Sequence, residues 1–329
     1  MKILFVYRHP GLGYSIGKVF RTIETEIKKY AEVDSLYMPV PSYSPASLLK
    51  NIKAAASHCK GKRYDIVHIT GTEYYLIPFL RHQKVIATVH DFGHYLGLRN
   101  PRRLAYWIEH IAPLNNADAI TCISAHTATE VEQAMGSAAK RKITVIPNAI
   151  DRTFTPCPKD FRTDCPTVMH IGARPHKNLT RAIEALKGIR CKLRIVEKAS
   201  CSDIKMMEAY GTDYAALHDL TDKELLQEYE NADIISFPSL HEGFGMPIIE
   251  GQSIGRIVIT SDMEPMKSIA GNGAILCDPY DTESIRNAYL IAINDTSLRE
   301  NTIRHGFENV KKYHPDIVAK QYLELYKSI

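Results

Sequence analysis

Residues 233–255 decide the reading: Asp233-Ile234-Ile235-Ser236-Phe237-Pro238-Ser239-Leu240-His241-Glu242-Gly243-Phe244-Gly245-Met246-Pro247-Ile248-Ile249-Glu250-Gly251-Gln252-Ser253-Ile254-Gly255. A short apolar run ends at Pro238, a glycine-rich turn follows, and Pro247 opens a helix at a position where a missing N–H costs nothing. The turn Gly243-Phe244-Gly245 is expected to present backbone N–H groups to an anion at that helix start. Glu242 stands at the strand exit and Glu250 in the first turn of the helix, so both carboxylates can line one pocket. Two acids flanking a phosphate site suit a ligand that joins a diphosphate to two polyols, as a nucleotide sugar does.

Working outward, the same strand–loop–helix unit recurs. In the first half strands are predicted at 2–7, 33–37, 65–70, 85–90, 119–124 and 143–146, with helical patterns at 16–30, 45–58, 104–114 and 125–135. In the second half strands are predicted at 167–172, 191–196, 215–218, 234–238, 256–260 and 274–277, with helices at 179–186, 222–231, 247–253 and 282–294 and more to the end. Strands regularly separated by helices build parallel sheets, and Val/Ile runs without alternation fit strands covered on both faces. Pro156, Pro158 and Pro166 interrupt the pattern over 151–166, as a linker does. The reading is α/β, with two Rossmann-like domains, 1–155 and 160–312, facing across a cleft.

Composition agrees. The 329 residues are 45% apolar and 24% charged with only 18 Gly and 17 Pro, which excludes collagenous and disordered classes. No apolar run approaches the length of a membrane span, and the opening residues turn to Arg8-His9-Pro10-Gly11 too soon for a secretory signal. The seven cysteines form no C-x-x-C pair, so neither a disulfide framework nor a zinc site is expected and the compartment is read as cytoplasmic. Charge is uneven: residues 1–150 hold 19 Lys and Arg against 11 Asp and Glu, and the remainder 22 against 26. A basic first half implies an anionic partner, and Arg102-Arg103-Leu104-Ala105-Tyr106-Trp107-Ile108 tilts this toward peripheral contact with an anionic membrane at its inner face. Net charge is modest and no base-reading motif is present, so nucleic acid is not expected as a partner.

The loop Tyr7-Arg8-His9-Pro10-Gly11-Leu12-Gly13-Tyr14-Ser15-Ile16-Gly17 joins the first strand to a helix and can approach a phosphate closely. Its third glycine falls one place late for the dinucleotide fingerprint, and no ribose-binding acid follows the second strand. A nicotinamide-dependent dehydrogenase is therefore disfavoured.

The segment 238–250 resembles the Glu-x7-Glu signature of family 4 retaining glycosyltransferases of the GT-B fold, also called glycosyl transferases group 1. Thr88-Val89-His90-Asp91, Ile120-Thr121-Cys122-Ile123-Ser124, 143–151 (Ile-Thr-Val-Ile-Pro-Asn-Ala-Ile-Asp), 170–179 (His-Ile-Gly-Ala-Arg-Pro-His-Lys-Asn-Leu) and Asp233-Ile234 are similar to family segments in the family order. The resemblance implies that Glu242 contacts the donor sugar's hydroxyls and Glu250 the ribose diol. Backbone groups of Phe244, Gly245 and Met246 would lie along the sugar and diphosphate. Arg174 and Lys177 match the basic pair that stabilises a departing nucleoside diphosphate. Gly11 and Gly13 would meet the diphosphate from the first domain, His90 would face the transferred sugar, and residues 313–329 would pack back onto that domain. It implies hexosyl transfer from a UDP- or GDP-linked sugar to a glycan or lipid-linked glycan, in surface-polysaccharide biosynthesis. No D-x-D triplet occurs, so neither a metal nor another cofactor is expected. Departures are visible: Arg174 and Lys177 are only three apart, and Glu197 stands where a glycine is common, near the expected base-binding edge. A non-catalytic nucleotide-sugar-binding subunit, or a GT-B sugar epimerase or phosphorylase, would share the two-domain pocket.

Overall fold

The computed structural model describes residues 1–329 apart from 13–14, 42–43, 93–94 and 96–100, with the backbone alone at Ser15 and Arg102. The chain divides into two units, Met1–Asp151 with His314–Ile329, and Arg152–Tyr313.

In the first unit each apolar run becomes a parallel strand: β1 (Lys2–Tyr7), β2 (Glu32–Tyr37), β3 (Ile66–Ile69), β4 (Lys84–Val89), β5 (Ala119–Cys122) and β6 (Ile143–Val145). They are ordered β2-β1-β3-β4-β5-β6, with Val6 opposite Leu36 on one side and Ile69 on the other. Every residue of β3 and β5 is buried, as layers on both faces require. Those layers are α1 (Ser15–Ile27), α2 (Pro45–Cys59), the short α3 (Ile77–Leu80), α4 (Arg102–Tyr106) and α5 (Ala125–Met135). The single helix expected over 104–114 is not formed. After α4 the backbone widens into a π-turn over Trp107–Ile111 and tightens into a 3-10 turn over Ala112–Asn116. Pro113, which has no N–H to give the ladder, is the physical reason the α-helix cannot run through.

The second unit repeats the plan with β7 (Thr167–Ile171), β8 (Lys192–Val196), β9 (Asp213–Leu217), β10 (Ile234–Phe237), β11 (Ile257–Ser261) and β12 (Ile275–Cys277), ordered β12-β11-β10-β7-β8-β9 and all parallel. Its helices are α6 (Leu179–Leu186), α7 (Cys201–Tyr210), α8 (Asp222–Asn231), α9 (Met246–Ile254), α10 (Met266–Ala270), α11 (Thr282–Asn294) and α12 (Thr296–Val310). Helix α7 was invisible as a pattern because only Asp203 and Met207 of it are buried; the Ser200 hydroxyl, accepting from the Asp203 N–H at 3.1 Å, starts it. The proline-rich segment after β6 has no regular structure, yet it is pinned to this unit. Asp233 accepts from the Thr167 and Arg162 N–H groups and pairs with Lys159, while buried Arg256 donates to the carbonyls of Cys157, Tyr229 and Glu230.

The last helix, α13 (Pro315–Ser328), belongs to the first unit. It buries Tyr322 and Tyr326, and a polar chain fixes its register: the Tyr326 hydroxyl is 2.6 Å from His68 Nδ1, whose Nε2 is 2.7 Å from Thr88 Oγ1, itself 2.6 Å from Thr121 Oγ1. Burial holds the His68 pKa down at about 3, so its ring is neutral.

Candidate functional site

In an open parallel sheet ligands gather where the strand order reverses, outside the carboxyl ends of the strands. In the second unit that point lies between β7 and β10, which are neighbours. The loop after β7 carries Arg174 and Lys177, and the loop after β10 carries Glu242. The structure brings two of these together: Lys177 Nζ is 2.6 Å from Glu242 Oε1 and 4.8 Å from the centroid of the Phe237 ring. Both members of this pair are largely buried, which favours a fixed geometry over a solvated surface contact.

Backbone shape makes the placement possible. Gly172 holds φ at +95°, and a Cβ there would stand 2.5 Å from Lys177 Cγ, so the lysine stem crosses the space a side chain would fill. Asn178 sits at φ +64° and donates to the carbonyls of Pro238, at 3.0 Å, and Pro279, at 2.7 Å. The Leu240 N–H donates to the His176 carbonyl at 2.7 Å. The basic loop is thereby tied to the acidic one. Arg174 takes a different partner: its Nε is 3.4 Å from Glu197 Oε1, and it is mostly exposed.

Helix α9 begins at Met246 with Gly245 as its cap at φ +105°, so Glu250 lies one residue deeper than expected, just past the first turn. The helix terminus therefore acts on it less, because that field fades within the first turn. What orients Glu250 is Tyr229 of α8: the fully buried hydroxyl donates to Glu250 Oε2 at 2.5 Å, and the ring meets Phe154 edge-on at 5.3 Å. Phe244 is buried edge-on against Tyr313 at 5.7 Å, so its side chain anchors the turn.

In the first unit the order reverses between β1 and β3. Here lie Gly11 and, one strand further, His90; Gly13 lies outside the described residues. The Gly11 N–H is already taken, donating to His9 Nδ1 at 3.0 Å within a 3-10 turn that precedes α1. Among the described residues of this loop, Gly11 thus does not offer its N–H to a ligand. A cavity of about 90 Å³ under this loop is lined by Tyr7, Arg8, His9, Arg21, Tyr37 and Thr70 among others. His90 Nε2 is 2.8 Å from the Thr70 carbonyl, which can only accept, so Nε2 carries the proton and Nδ1 is the acceptor nitrogen. Burial, with Arg8 adding to it, lowers its pKa to about 4.

Four residues had no role in the sequence reading. Asn178 could have been suspected from its left-handed backbone preference. Tyr229 gives no sequence signal, since its hydroxyl matters only through a partner on another helix. Glu197 stood out only as a departure, and the structure accounts for the glycine preference at its position: its φ is +136°. Glu73, buried just beyond β3, has an Oε2 without a hydrogen-bond partner among the described residues and a pKa pushed by burial up to about 7, which Arg8 and two backbone N–H groups only partly offset.

The family described as Glycosyltransferase Family 4 matches residues 20–154, and Glycosyl transferases group 1 matches residues 158–309. The O-antigen chain mannosyltransferase B of Escherichia coli is 30% identical over 106 residues, covering 32% of this chain and 28% of that protein. The serotype-specific mannosyltransferase WbdA of Escherichia coli is 24% identical over 259 residues, covering 70% of this chain and 32% of that protein. The chain thus matches about a third of the length of these curated relatives. The solved structure of sucrose-phosphate synthase from Thermosynechococcus elongatus superimposes with a TM-score of 0.83 at 18% identity, covering 100% of this chain and 98% of that one, a likeness of fold.

Proposed function

The chain belongs to the family 4 glycosyltransferases, and from that premise we propose that it moves a hexosyl unit from a UDP- or GDP-linked sugar to a hydroxyl of a glycan or lipid-linked glycan. The observation that carries the reading is the Lys177–Glu242 pair at the β7/β10 reversal, a cation and a carboxylate held side by side where a sugar diphosphate would lie. In this reading Lys177 and Arg174 stabilise the charge that grows on the departing diphosphate, a task for preorganised cations. Glu242 holds the sugar's hydroxyls, Glu250 accepts from the ribose diol, and the backbone of Phe244, Gly245 and Met246 follows the sugar and diphosphate. From the first unit neutral His90 offers Nδ1 as an acceptor to a sugar hydroxyl.

The acceptor hydroxyl enters on the face the diphosphate leaves, and the leaving oxygen takes its proton. Configuration is retained, no protein base is needed, and the basic pair serves in place of a metal. Mannose heads the sugars to try, because the two relatives named above are called mannosyltransferases, and surface-polysaccharide biosynthesis is the corresponding process. The test is transfer from a panel of UDP- and GDP-sugars with EDTA present, the product's anomeric configuration read by NMR. Turnover that survives EDTA and retains configuration supports every part; loss of turnover restored by a divalent ion removes the metal-free clause, and an inverted product removes the front-face mechanism.

The same proposal places the protein at the inner face of an anionic membrane. Leu104, Trp107 and Ile108 are 58%, 39% and 56% exposed beside basic Arg103. Among the described residues no helix is long and apolar enough to cross a membrane. Co-sedimentation with anionic but not neutral vesicles, lost on replacing the three apolar residues by Ser, is the expected result.

A further inference from the structure

One carboxylate at the donor-side strand edge has no part in the chemistry above. β8 ends at Val196, and the next residue, Glu197, carries a side chain at φ +136°, where glycine is favoured. Its own N–H donates to the Leu217 carbonyl at 2.8 Å, so this backbone shape continues the β8–β9 pairing. Its side chain turns toward the loop after β7. There Oε2 accepts from the Ala173 N–H at 2.7 Å and Oε1 lies 3.4 Å from Arg174 Nε.

A backbone N–H at a strand end together with a guanidinium is the donor set an anion takes. Non-glycine residues persist at such backbone angles only where surrounding contacts hold them. Here the contacts are the two donors just named. We propose that Glu197 is an internal anion: its carboxylate occupies Ala173 N–H and Arg174, and a sugar donor's diphosphate gains them only by exchanging with it. Glu197 then sets donor affinity, and through it which donors succeed, without touching the reacting atoms. Arg174 is exposed, so water screens its pair with Glu197 and a diphosphate, with its greater charge, can displace the carboxylate. Lys177 differs, since its partner Glu242 belongs to the proposed sugar contacts. That a diphosphate is the entering anion rests on the reading under Proposed function; that Glu197 fills the anion position does not.

The test uses the full chain with Glu197→Gly and Glu197→Gln, titrated by calorimetry with inorganic pyrophosphate, UDP, GDP, uridine and guanosine. Glu197→Gly is expected to bind pyrophosphate and the recognised nucleoside diphosphate about tenfold more tightly, about 1.4 kcal/mol. Its affinity for the nucleoside alone should be unchanged and its Tm equal or higher. Glu197→Gln, neutral but still able to accept from Ala173, should fall between. Unchanged or weaker pyrophosphate binding by Glu197→Gly overturns the proposal, and a lowered Tm with unchanged pyrophosphate affinity would make Glu197 a structural strut. If pyrophosphate tightens while no nucleoside binds either protein, the internal anion stands and the nucleotide-sugar reading fails. If nucleosides bind and pyrophosphate is indifferent to the change, the reverse holds.

Discussion

The two units share one architecture, but the loops at their strand-order reversals handle charge differently. At the β7/β10 reversal of the second unit the loops hold two ion pairs, Lys177 with Glu242 and Arg174 with Glu197, while His170 of β7 is pushed down by burial to about 4. Around the β1/β3 reversal of the first unit burial pushes His90 down to about 4, His68 to about 3 and Glu73 up to about 7, beside Arg8. A sheet edge with paired ions can receive a charged ligand by exchanging partners. A buried neutral imidazole whose Nε2–H is already given to a carbonyl, as in His90, keeps Nδ1 to accept from an uncharged hydroxyl. The proposed contacts follow that difference: cations of the second unit for the diphosphate, and His90 of the first for a sugar hydroxyl.

The largest effect expected from breaking the comparison is at Lys177. Lys177→Ala removes the buried cation and leaves Glu242 unpaired, so kcat should fall roughly a hundredfold or more while the acceptor KM moves little. Steady-state kinetics against acceptor would check it, and a kcat near wild type would take Lys177 out of the reaction. Gly172→Ala should come next: the φ of +95° and the lysine stem in the way should cost about 1–3 kcal/mol, read as a lower denaturation midpoint.

Tyr229→Phe keeps the ring against Phe154 and deletes only the hydroxyl that holds Glu250. A hydrogen bond to a charged group contributes roughly 1.5–3 kcal/mol, so nucleoside affinity should fall roughly ten- to a hundredfold with pyrophosphate binding unmoved. Equal losses for both ligands would show a general collapse of the pocket instead.

The smallest effect is in the pH dependence of the first unit. His68 and His90 have folded pKa values below the ordinary histidine value, so the unfolded chain binds protons the fold refuses. Stability is full above about 6.5 and is lost as pH falls toward about 4 and 3. Glu73 works the other way: its raised pKa means its contribution is present below the ordinary glutamate value and fades as pH rises through about 7. Glu73→Gln should therefore steepen the loss of stability on acidification from pH 7 to pH 5. The single tryptophan, Trp107, lies in the first unit, so its fluorescence reports on that unit. An unchanged slope would mean that Glu73 is not protonated in the fold.

Much of this was legible residue by residue. The Val/Ile runs gave the strands to within a residue or two, because a strand buried on both faces must be apolar throughout. The loop 238–245 was legible because proline and glycine restrict and free the backbone at fixed places. Other features were not. Helix α7 buries too little to leave a periodic trace, and Pro113 broke a helix that the apolar spacing over 104–114 favoured. The depth of Glu250 in its helix depended on a start at Met246 rather than Pro247.

By itself, then, the sequence determined the alternation of strands and helices, the linker prolines, the glycine-rich turn and which ionisable groups stand at strand ends, since each follows from local backbone preference or from apolar periodicity. Only the tertiary structure decided who partners whom: Lys177 with Glu242 across 65 positions, Tyr229 with Glu250, Glu197 with Ala173 and Arg174, His68 with Tyr326 across 258. The physical reason is that parallel strand order places residues distant in the chain side by side. A hydrogen bond also depends on a few tenths of an ångström and on burial, which sequence spacing does not encode.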